Sequence, residues 1–368
     1  MPTSKVLTSA TNFIKPSTLS QLHQKQLPGL TSLFTKFSRS KSTQGFTKPA
    51  KMSTEPSAAE KSAAFEKVLK RNPHGDFKAV EASRPAFDPS PKFTYFQTPQ
   101  PDWAYGSGAN SLAASAETKK NEQHIMVDPY TEGRPPAFNY KLLISAIVPR
   151  PIALVSTRSA DGTTENLAPF SYFQVISHDP PLFTLGFASP LSPASRAKDS
   201  LRILHETGEC VINLMSTPFL EAANSCSTNA PLGVSEWVIS GLTPVYDAQT
   251  VKAPRAKEAV FAVECKLVHV KEFESRSKPG ETGSTLVVVE GTKFWIKEGA
   301  VNEELNQMDL DVYKPVSRLG GITYGLVREG LEIPRPDFEK DIGGMEGYEK
   351  LKKAREEKKE REEKKEKE

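Results

Sequence analysis

The sequence predicts a mostly β protein whose strands form an antiparallel barrel with a few flanking helices. Six segments rich in β-branched and aromatic residues follow one another, and turn signals separate most of them. Helical patterns occur only in isolated segments. A doubly wound sheet would place a helix between successive strands, which is not the order found along this chain. The elements therefore favour a barrel.

The predicted strands are apolar runs that end at polar or turn residues. They cover residues 152–157, 171–176, 182–187, 209–214, 260–270 and 285–296. Asp161-Gly162 is a tight-turn signal after the first strand, and a returning strand is expected to begin near Asn166. Small and hydrogen-bonding residues gather at this hairpin. They leave room for a flat ligand with a polar edge.

The predicted helices are short and lie apart from one another. They cover residues 140–146, 198–206 and 218–225, with a further candidate at 303–308. Thr217 is the expected N-cap of the third helix, and Pro218 occupies its first position, where a missing N–H costs nothing.

Composition divides the chain into four regions. Residues 1–54 are a basic leader without Asp or Glu, and residues 55–135 are an extension expected to wrap the core through Trp103 and Tyr105. Residues 136–340 hold the barrel, and residues 341–368 form a charged Lys/Glu helical tail. The leader is either a transit peptide or a disordered tail, and Met52 offers a second start. We therefore expect a mitochondrial or cytoplasmic protein.

Composition also excludes several classes of function. The formal net charge is only +3, which does not fit a nucleic-acid-binding protein. Pro and charged residues interrupt every apolar run, so we expect no membrane span. Cys210, Cys226 and Cys265 are widely spaced and form no CxxC pair, which argues against a disulfide framework or a zinc site. The pattern favours a reducing compartment and no metal.

Several short motifs resemble one known family when they are taken together. They are Pro149 to Ala153, Asn166 to Phe173, His178 to Pro181, Lys198 to Ser200, Thr207 to Asn213, and Ser317 to Gly321. In order and spacing they resemble the flavin reductase-like domain family of FMN-binding split barrels, especially its longer fungal and plant members. The resemblance implies a six-stranded antiparallel split barrel with flanking helices, and a homodimer with FMN near each subunit interface.

The candidate phosphate ligands lie at the start of a predicted helix. Lys198 supplies a positive charge and Ser200 a hydroxyl, beside the free amide donors of a helix N-terminus. The family carries Thr where this chain has Ser200, which keeps the hydroxyl. Arg150 is a second candidate for the phosphate or the ribityl chain. The alternative is that Lys198 and Arg150 are ordinary solvated charges.

The candidate ring ligands lie on the first hairpin and in the last motif. Asn166, Ala168 and Ser171 can offer an amide, backbone groups and a hydroxyl to the flavin edge. Ser156 and Thr157 are weaker candidates on the preceding strand. Arg318 and Tyr324, next to paired glycines, can cover the cofactor. The alternatives are a self-satisfied hairpin and a structural turn.

The resemblance implies an FMN-dependent oxidoreductase in which NAD(P)H passes a hydride to the flavin. The reduced flavin would then serve a small-molecule electron acceptor or a flavin-accepting partner. No particular residue is predicted to be catalytic, because hydride transfer to a flavin needs no protein acid. The competing hypothesis is a non-catalytic FMN-binding carrier or scaffold. An oxidase of pyridoxamine phosphate type is a third alternative, although its basic substrate cluster is not apparent.

Overall fold

The computed structural model describes residues 72–114, 124–231 and 233–365. Its strands are β1 (Thr94–Phe96), β2 (Ala153–Arg158), β3 (Glu165–Phe170), β4 (Phe173–His178), β5 (Pro181–Phe187), β6 (Glu209–Leu214), β7 (Pro244–Val245), β8 (Arg255–Ala256), β9 (Phe261–Glu274), β10 (Thr282–Ile296), β11 (Val316–Arg318), β12 (Tyr324–Leu326) and β13 (Glu329–Leu331). Its helices are α1 (Phe77–Ala82), α2 (Pro136–Ala146), α3 (Asp199–Thr207), α4 (Leu220–Ser225), α5 (Glu236–Ser240), α6 (Leu310–Tyr313) and α7 (Gly344–Lys365). Short 3-10 turns occur at Ser111–Ala114, Ala194–Arg196 and Thr217–Phe219, and a π turn at Phe338–Ile342.

The principal sheet is antiparallel and has seven strands. Its order is β3-β2-β6-β9-β10-β5-β4, so β3 and β4 are the two edges. These edges are consecutive in the chain, because β3 ends at Phe170 and β4 begins at Phe173. Three peptide links span at most about 11 Å, so the sheet must curl until its edges approach each other. The sheet is therefore a barrel that is split between β3 and β4.

The predicted fold class, mostly β with flanking helices, is confirmed, but the sheet has seven strands and not six. The seventh strand is β3, which was expected as a returning strand near Asn166 but was not among the six predicted segments. It pairs with β2 from Arg158↔Glu165 to Ala153↔Phe170. Asn, Ala and Pro are poor strand formers, so the sequence of β3 shows little strand propensity. Pairing with β2, of which all residues but Arg158 are buried, outweighs that local preference.

Apolar side chains from both the sheet and α3 fill the barrel interior. Ala153 and Val155 face inward from β2, and they meet Leu201 and Leu204 of α3. Leu201 and Leu204 are three residues apart and lie on one face of the helix, where both are fully buried. This apolar face holds α3 against β2 and β3.

A second apolar cluster lies on the opposite face of β2 and β3. Leu154 and Leu167 point to this side and pack with Phe219 and Trp237, which come from the α4 and α5 region. The alternation of side chains along each strand thus places α3 on one face of the hairpin, and α4 and α5 on the other.

The expected helix at 303–308 is wrong. The side-chain oxygen of Asn302 accepts hydrogen bonds from the N–H groups of Asn306 and Gln307, at 2.9 and 3.0 Å, and this closes a loop. The helix begins later, at Leu310, where the carboxylate of Asp309 caps the first turn. A local Asn bond therefore replaces the helical ladder.

The extension contacts the barrel through its backbone and its side chains. β1 pairs in parallel with β13, and the N–H of Phe93 donates to the carboxylate of Asp311 at 2.6 Å. The rings of Trp103 and Tyr105 pack edge-on against each other at 5.5 Å, and their expected role in wrapping the core stays a prediction. The boundaries of the four regions stay predictions, and the leader lies outside the described residues.

In the three described ranges, no helix is long and apolar enough to cross a membrane.

Candidate functional site

The beginning of β3 meets the beginning of α3. The side-chain amide of Asn166 donates to the hydroxyl of Ser200 at 3.2 Å, and the two residues are only 6% and 2% exposed. Asn166 lies opposite Thr157 of β2, so both side chains point to the face that α3 covers. We call Asn166, Ser200, Thr157 and the adjacent Lys198 the helix-start cluster. Two predicted site residues that are 34 positions apart are in direct contact here.

The N-terminus of α3 is open to an anion. Lys198 is the N-cap residue, and its side chain makes no capping hydrogen bond. The first-turn amides of an α-helix have no acceptor within the helix, and the helix dipole adds positive potential. Asp199 opposes this potential, but Arg202 partly neutralises it with a contact of 3.4 Å. The exposed Lys198 ammonium adds a mobile positive charge.

The hydroxyl of Thr157 lacks a partner within the helix-start cluster. Thr157 is fully buried, and its Oγ1 has no hydrogen-bond partner among the described residues. A buried hydroxyl without a partner costs free energy, so such groups are commonly satisfied by a bound molecule or an ordered water. Thr157 is therefore a buried polar group beside Asn166 whose hydrogen-bonding capacity is unmet in this structure.

Ser156, the other candidate on this strand besides Thr157, points the other way. It lies opposite Leu167 and is fully buried on the face that α4 and α5 cover. The structure therefore does not bring Ser156 to the helix-start cluster, and Thr157 takes that place. Ala168 is half-buried and points to the same face as Asn166, two residues along β3.

A buried carboxylate occupies the outer edge of β3, and sequence reasoning missed it. Glu236, at the first position of α5, accepts a hydrogen bond from the N–H of Leu167 at 3.1 Å. Burial raises the pKa of Glu236, and the negative charge of Asp199 adds to this effect, while the bond from Leu167 opposes it. Only its position at a helix start pointed to Glu236, and many ordinary acidic residues share that position.

A second group of predicted residues lies at the other end of β3. Arg150 is buried, and its guanidinium donates to the carbonyls of Ile144, Ile147 and Leu319 at 2.5, 2.6 and 3.1 Å. Its Nε lies 3.4 Å from the hydroxyl of Ser171. Burial lowers the pKa of Arg150. Because three carbonyls already engage the guanidinium, its first role is to tie α2 and the end of β11 to the barrel.

Arg318 and Tyr324 complete this second group, and with Arg150 and Ser171 we call them the arginine cluster. The Arg318 guanidinium lies 4.4 Å from the centre of the Tyr324 ring and donates to the Gly321 carbonyl at 2.8 Å. Backbone hydrogen bonds link Arg150 and Arg318 in both directions, at 3.2 and 2.9 Å. The Tyr324 hydroxyl donates to Asn224 at 2.7 Å. The Nη1 atom of Arg318 is buried and has no partner among the described residues.

The two clusters flank one strand. Asn166 and Phe170 are four residues apart on β3, which corresponds to about 13 Å along the strand. The helix-start cluster provides donors and positive potential for an anion, and the arginine cluster provides an aromatic face beside a fixed positive charge. The two clusters therefore offer different kinds of contact at the two ends of β3.

Comparisons with known proteins identify the family. A family model, described as "Flavin reductase like domain", matches residues 145–314. An uncharacterized protein of Halalkalibacterium halodurans is 32% identical over 203 residues, which are 55% of this chain and 93% of that protein. An uncharacterized protein of Aquifex aeolicus is 36% identical over 186 residues, 50% of this chain and 88% of that protein. The chain belongs to the flavin reductase-like family.

A solved structure has the same fold. The chain is similar to nitrilotriacetate monooxygenase component B from Bacillus cereus, with a TM-score of 0.51 and 27% identity, and the match covers 57% of this chain and 100% of that one. Membership in the flavin reductase-like family makes flavin-related oxidoreduction the class of chemistry for this chain. The matched segment includes the helix-start cluster, whereas Arg318 and Tyr324 lie just beyond its end.

Proposed function

We propose that this chain binds FMN and that bound FMN is reduced by NAD(P)H. The observation that carries the proposal is the contact between Asn166 and Ser200 at the uncapped start of α3. FMN needs donors for a doubly negative phosphate and a polar contact for the edge of its ring. The helix-start cluster offers both within one short stretch of β3 and α3.

The phosphate fits the start of α3. The first-turn amides, the Ser200 hydroxyl and the Lys198 ammonium are three kinds of donor that favour an anion. Lys198 has an exposed side chain and can close over a bound phosphate without disturbing the core. Asn166 holds the Ser200 hydroxyl in place through the 3.2 Å bond.

The ring fits the polar surface of the β2-β3 hairpin. The unpartnered Thr157 hydroxyl and the Asn166 amide are buried polar groups that a ring edge can satisfy. When bound, the flavin accepts a hydride from a nicotinamide and passes electrons to an acceptor. The hydrogen-bond donors of Asn166 and Thr157 favour the negative charge that reduction brings to the ring edge. The buried hairpin excludes water from that edge.

The proposal includes a homodimer. Val175 and Ile176 on edge strand β4 are 54% and 53% exposed, although β4 closes the barrel next to β3. Exposed apolar residues on an edge strand are an association surface that a second copy can cover. Light scattering of the full chain should give the mass of a dimer, and a monomer at micromolar concentration would contradict this part of the proposal.

The test is to load the full chain with FMN and to follow NADH and NADPH oxidation with an artificial electron acceptor. We expect FMN to remain bound after gel filtration and turnover to exceed that of free FMN. Failure of the chain to bind FMN would refute the proposal. Retained FMN without turnover with either donor would support the non-catalytic FMN-binding alternative.

A further inference from the structure

A cavity of about 620 Å³ lies where the extension meets the barrel domain. One wall comes from residues 73–84, a second from α2, and the third from the loop of residues 320–324. Pockets for small organic ligands commonly have volumes of about 300–1,000 Å³. With the exception of Ser145, every lining residue lies outside the segment that the family model matches. The cavity therefore depends on parts of this chain that are additional to the matched domain.

The cavity wall carries basic side chains and no acidic ones among the described residues. His74, Arg84 and Lys141 line it, and none of its lining residues is Asp or Glu. Arg84 has an exposed side chain and forms no ion pair with any described residue. The neighbouring acid on α1, Glu81, instead faces Lys78 at 3.6 Å. The Arg318 guanidinium does not line the cavity but lies 4.4 Å from the centre of the Tyr324 ring, which does. An anion in the cavity would thus meet basic groups from two sides.

The same cavity has flat apolar surfaces. Phe77, Tyr140 and Tyr324 line it, and the hydrogen bond from the Tyr324 hydroxyl to Asn224 fixes one of these rings. Gly321 has a φ of +60° and no heavy atom within 4 Å of where a Cβ would stand, so the backbone of this wall is open to a close approach. Aromatic rings with neighbouring cations bind planar ligands by stacking and cation–π contacts.

We propose that this cavity is a second ligand site, which takes a planar aromatic molecule bearing a phosphate or a carboxylate. The aromatic part stacks against Phe77, Tyr140 or Tyr324, and the anionic group pairs with Arg84 and Lys141. The site is distinct from the helix-start cluster, which would hold FMN. Ligand binding in this cavity does not depend on flavin binding, so this proposal is tested independently of the function proposed above.

The test is calorimetric titration of the FMN-saturated full chain with four probes. AMP and 2-naphthoate carry both a ring system and an anion, whereas adenosine lacks the anion and inorganic phosphate lacks the ring. We expect at least one of the first two to bind, and adenosine and phosphate to bind about tenfold more weakly or not at all. AMP alone would indicate a nucleotide phosphate, and 2-naphthoate alone an aromatic carboxylate. Binding of neither, or equal binding of adenosine, would overturn the proposal.

Two variants locate the site. Arg84→Ala should weaken the aromatic anion about tenfold or more, because it removes a charged hydrogen-bond donor. Lys78→Ala removes the same charge from α1 outside the cavity and should change nothing. FMN affinity should be equal in Arg84→Ala and wild type. A loss of FMN affinity in Arg84→Ala would mean that the cavity is the flavin site and would overturn the proposal. If the chain retains no FMN, the same titrations on the flavin-free chain still decide it.

Discussion

The sharpest prediction concerns the hydroxyl of Ser200. Ser200→Ala removes one donor from the open start of α3 and leaves the helix amides in place. The residue is only 2% exposed, and among the described residues its side chain forms one hydrogen bond, which it accepts from Asn166. Ala fits the same space, because Ser and Ala differ only by the oxygen atom. The variant should therefore fold.

The magnitude follows from the kind of hydrogen bond that is lost. A bond to a charged group is worth about 1.5–3 kcal/mol, so the FMN dissociation constant should rise about 10- to 150-fold. Riboflavin lacks the phosphate, and its affinity should stay unchanged. Asn166→Ala removes a group assigned to the ring that also positions the Ser200 hydroxyl, so it should weaken riboflavin binding and weaken FMN binding further. Folding stability should fall by about 1 kcal/mol in each variant, because the neutral bond between Asn166 and Ser200 is lost.

The assay is a titration of flavin fluorescence with the flavin-free chain, first with FMN and then with riboflavin. Thr207→Ala is the matched control, since Thr207 lies at the other end of α3 and its hydroxyl bonds to the Ile203 carbonyl at 2.8 Å. The ratio of the two affinities isolates the phosphate contribution. An unchanged ratio in a folded Ser200→Ala protein would refute the assignment of the phosphate to this helix.

Four further predictions concern buried or half-buried polar groups. The pKa of Glu236 is raised, so its protonated form stabilises the fold below the ordinary carboxyl pKa, and this contribution is lost as the pH rises through the raised pKa. Chemical denaturation across that pH window should therefore show a weaker pH dependence of the free energy of unfolding in Glu236→Gln than in wild type. Glu236→Ala should lower the free energy of unfolding by about 1–3 kcal/mol, because the Leu167 N–H loses its acceptor; no loss would contradict the role given to Glu236. Arg150→Lys should clearly lower the midpoint of thermal unfolding, since one ammonium cannot replace a guanidinium that donates to three carbonyls. An unchanged midpoint would contradict the role of Arg150 in holding α2 and the end of β11 to the barrel. Tyr324→Phe should lower the free energy of unfolding by only about 1 kcal/mol, through the lost bond to Asn224, and keep the stacking on Arg318; a much larger loss would show a further role for the hydroxyl.

Much of the fold could be predicted because most of its strands have a recognisable pattern in their own sequence. β6 was predicted at the residues where it occurs, since residues 209–214 are an apolar run between turn residues. β3 was expected only as a returning strand after the Asp161-Gly162 turn signal, because Asn166, Ala168 and Pro169 carry almost no strand signal of their own. Its conformation is set by β2, to which it pairs along its full length. Tertiary pairing of this kind cannot be read from a local pattern.

Less of the candidate site could be predicted. The sequence pointed to Asn166 and Ser200, and their contact supports the choice. Which face of β2 a residue occupies depends on register, and a shift of one position exchanges Ser156 for Thr157. Glu236 and the carbonyls around Arg150 come from distant segments. Their importance follows from burial, which composition does not reveal.

The most direct measurement of the central claim is the flavin content of the purified full chain after incubation with excess FMN and gel filtration. The absorption spectrum of the protein peak should show flavin in an amount equal to that of the chain. Ser200→Ala prepared in the same way should retain much less FMN, and Thr207→Ala should match wild type. A folded wild-type chain that elutes without flavin would contradict the account.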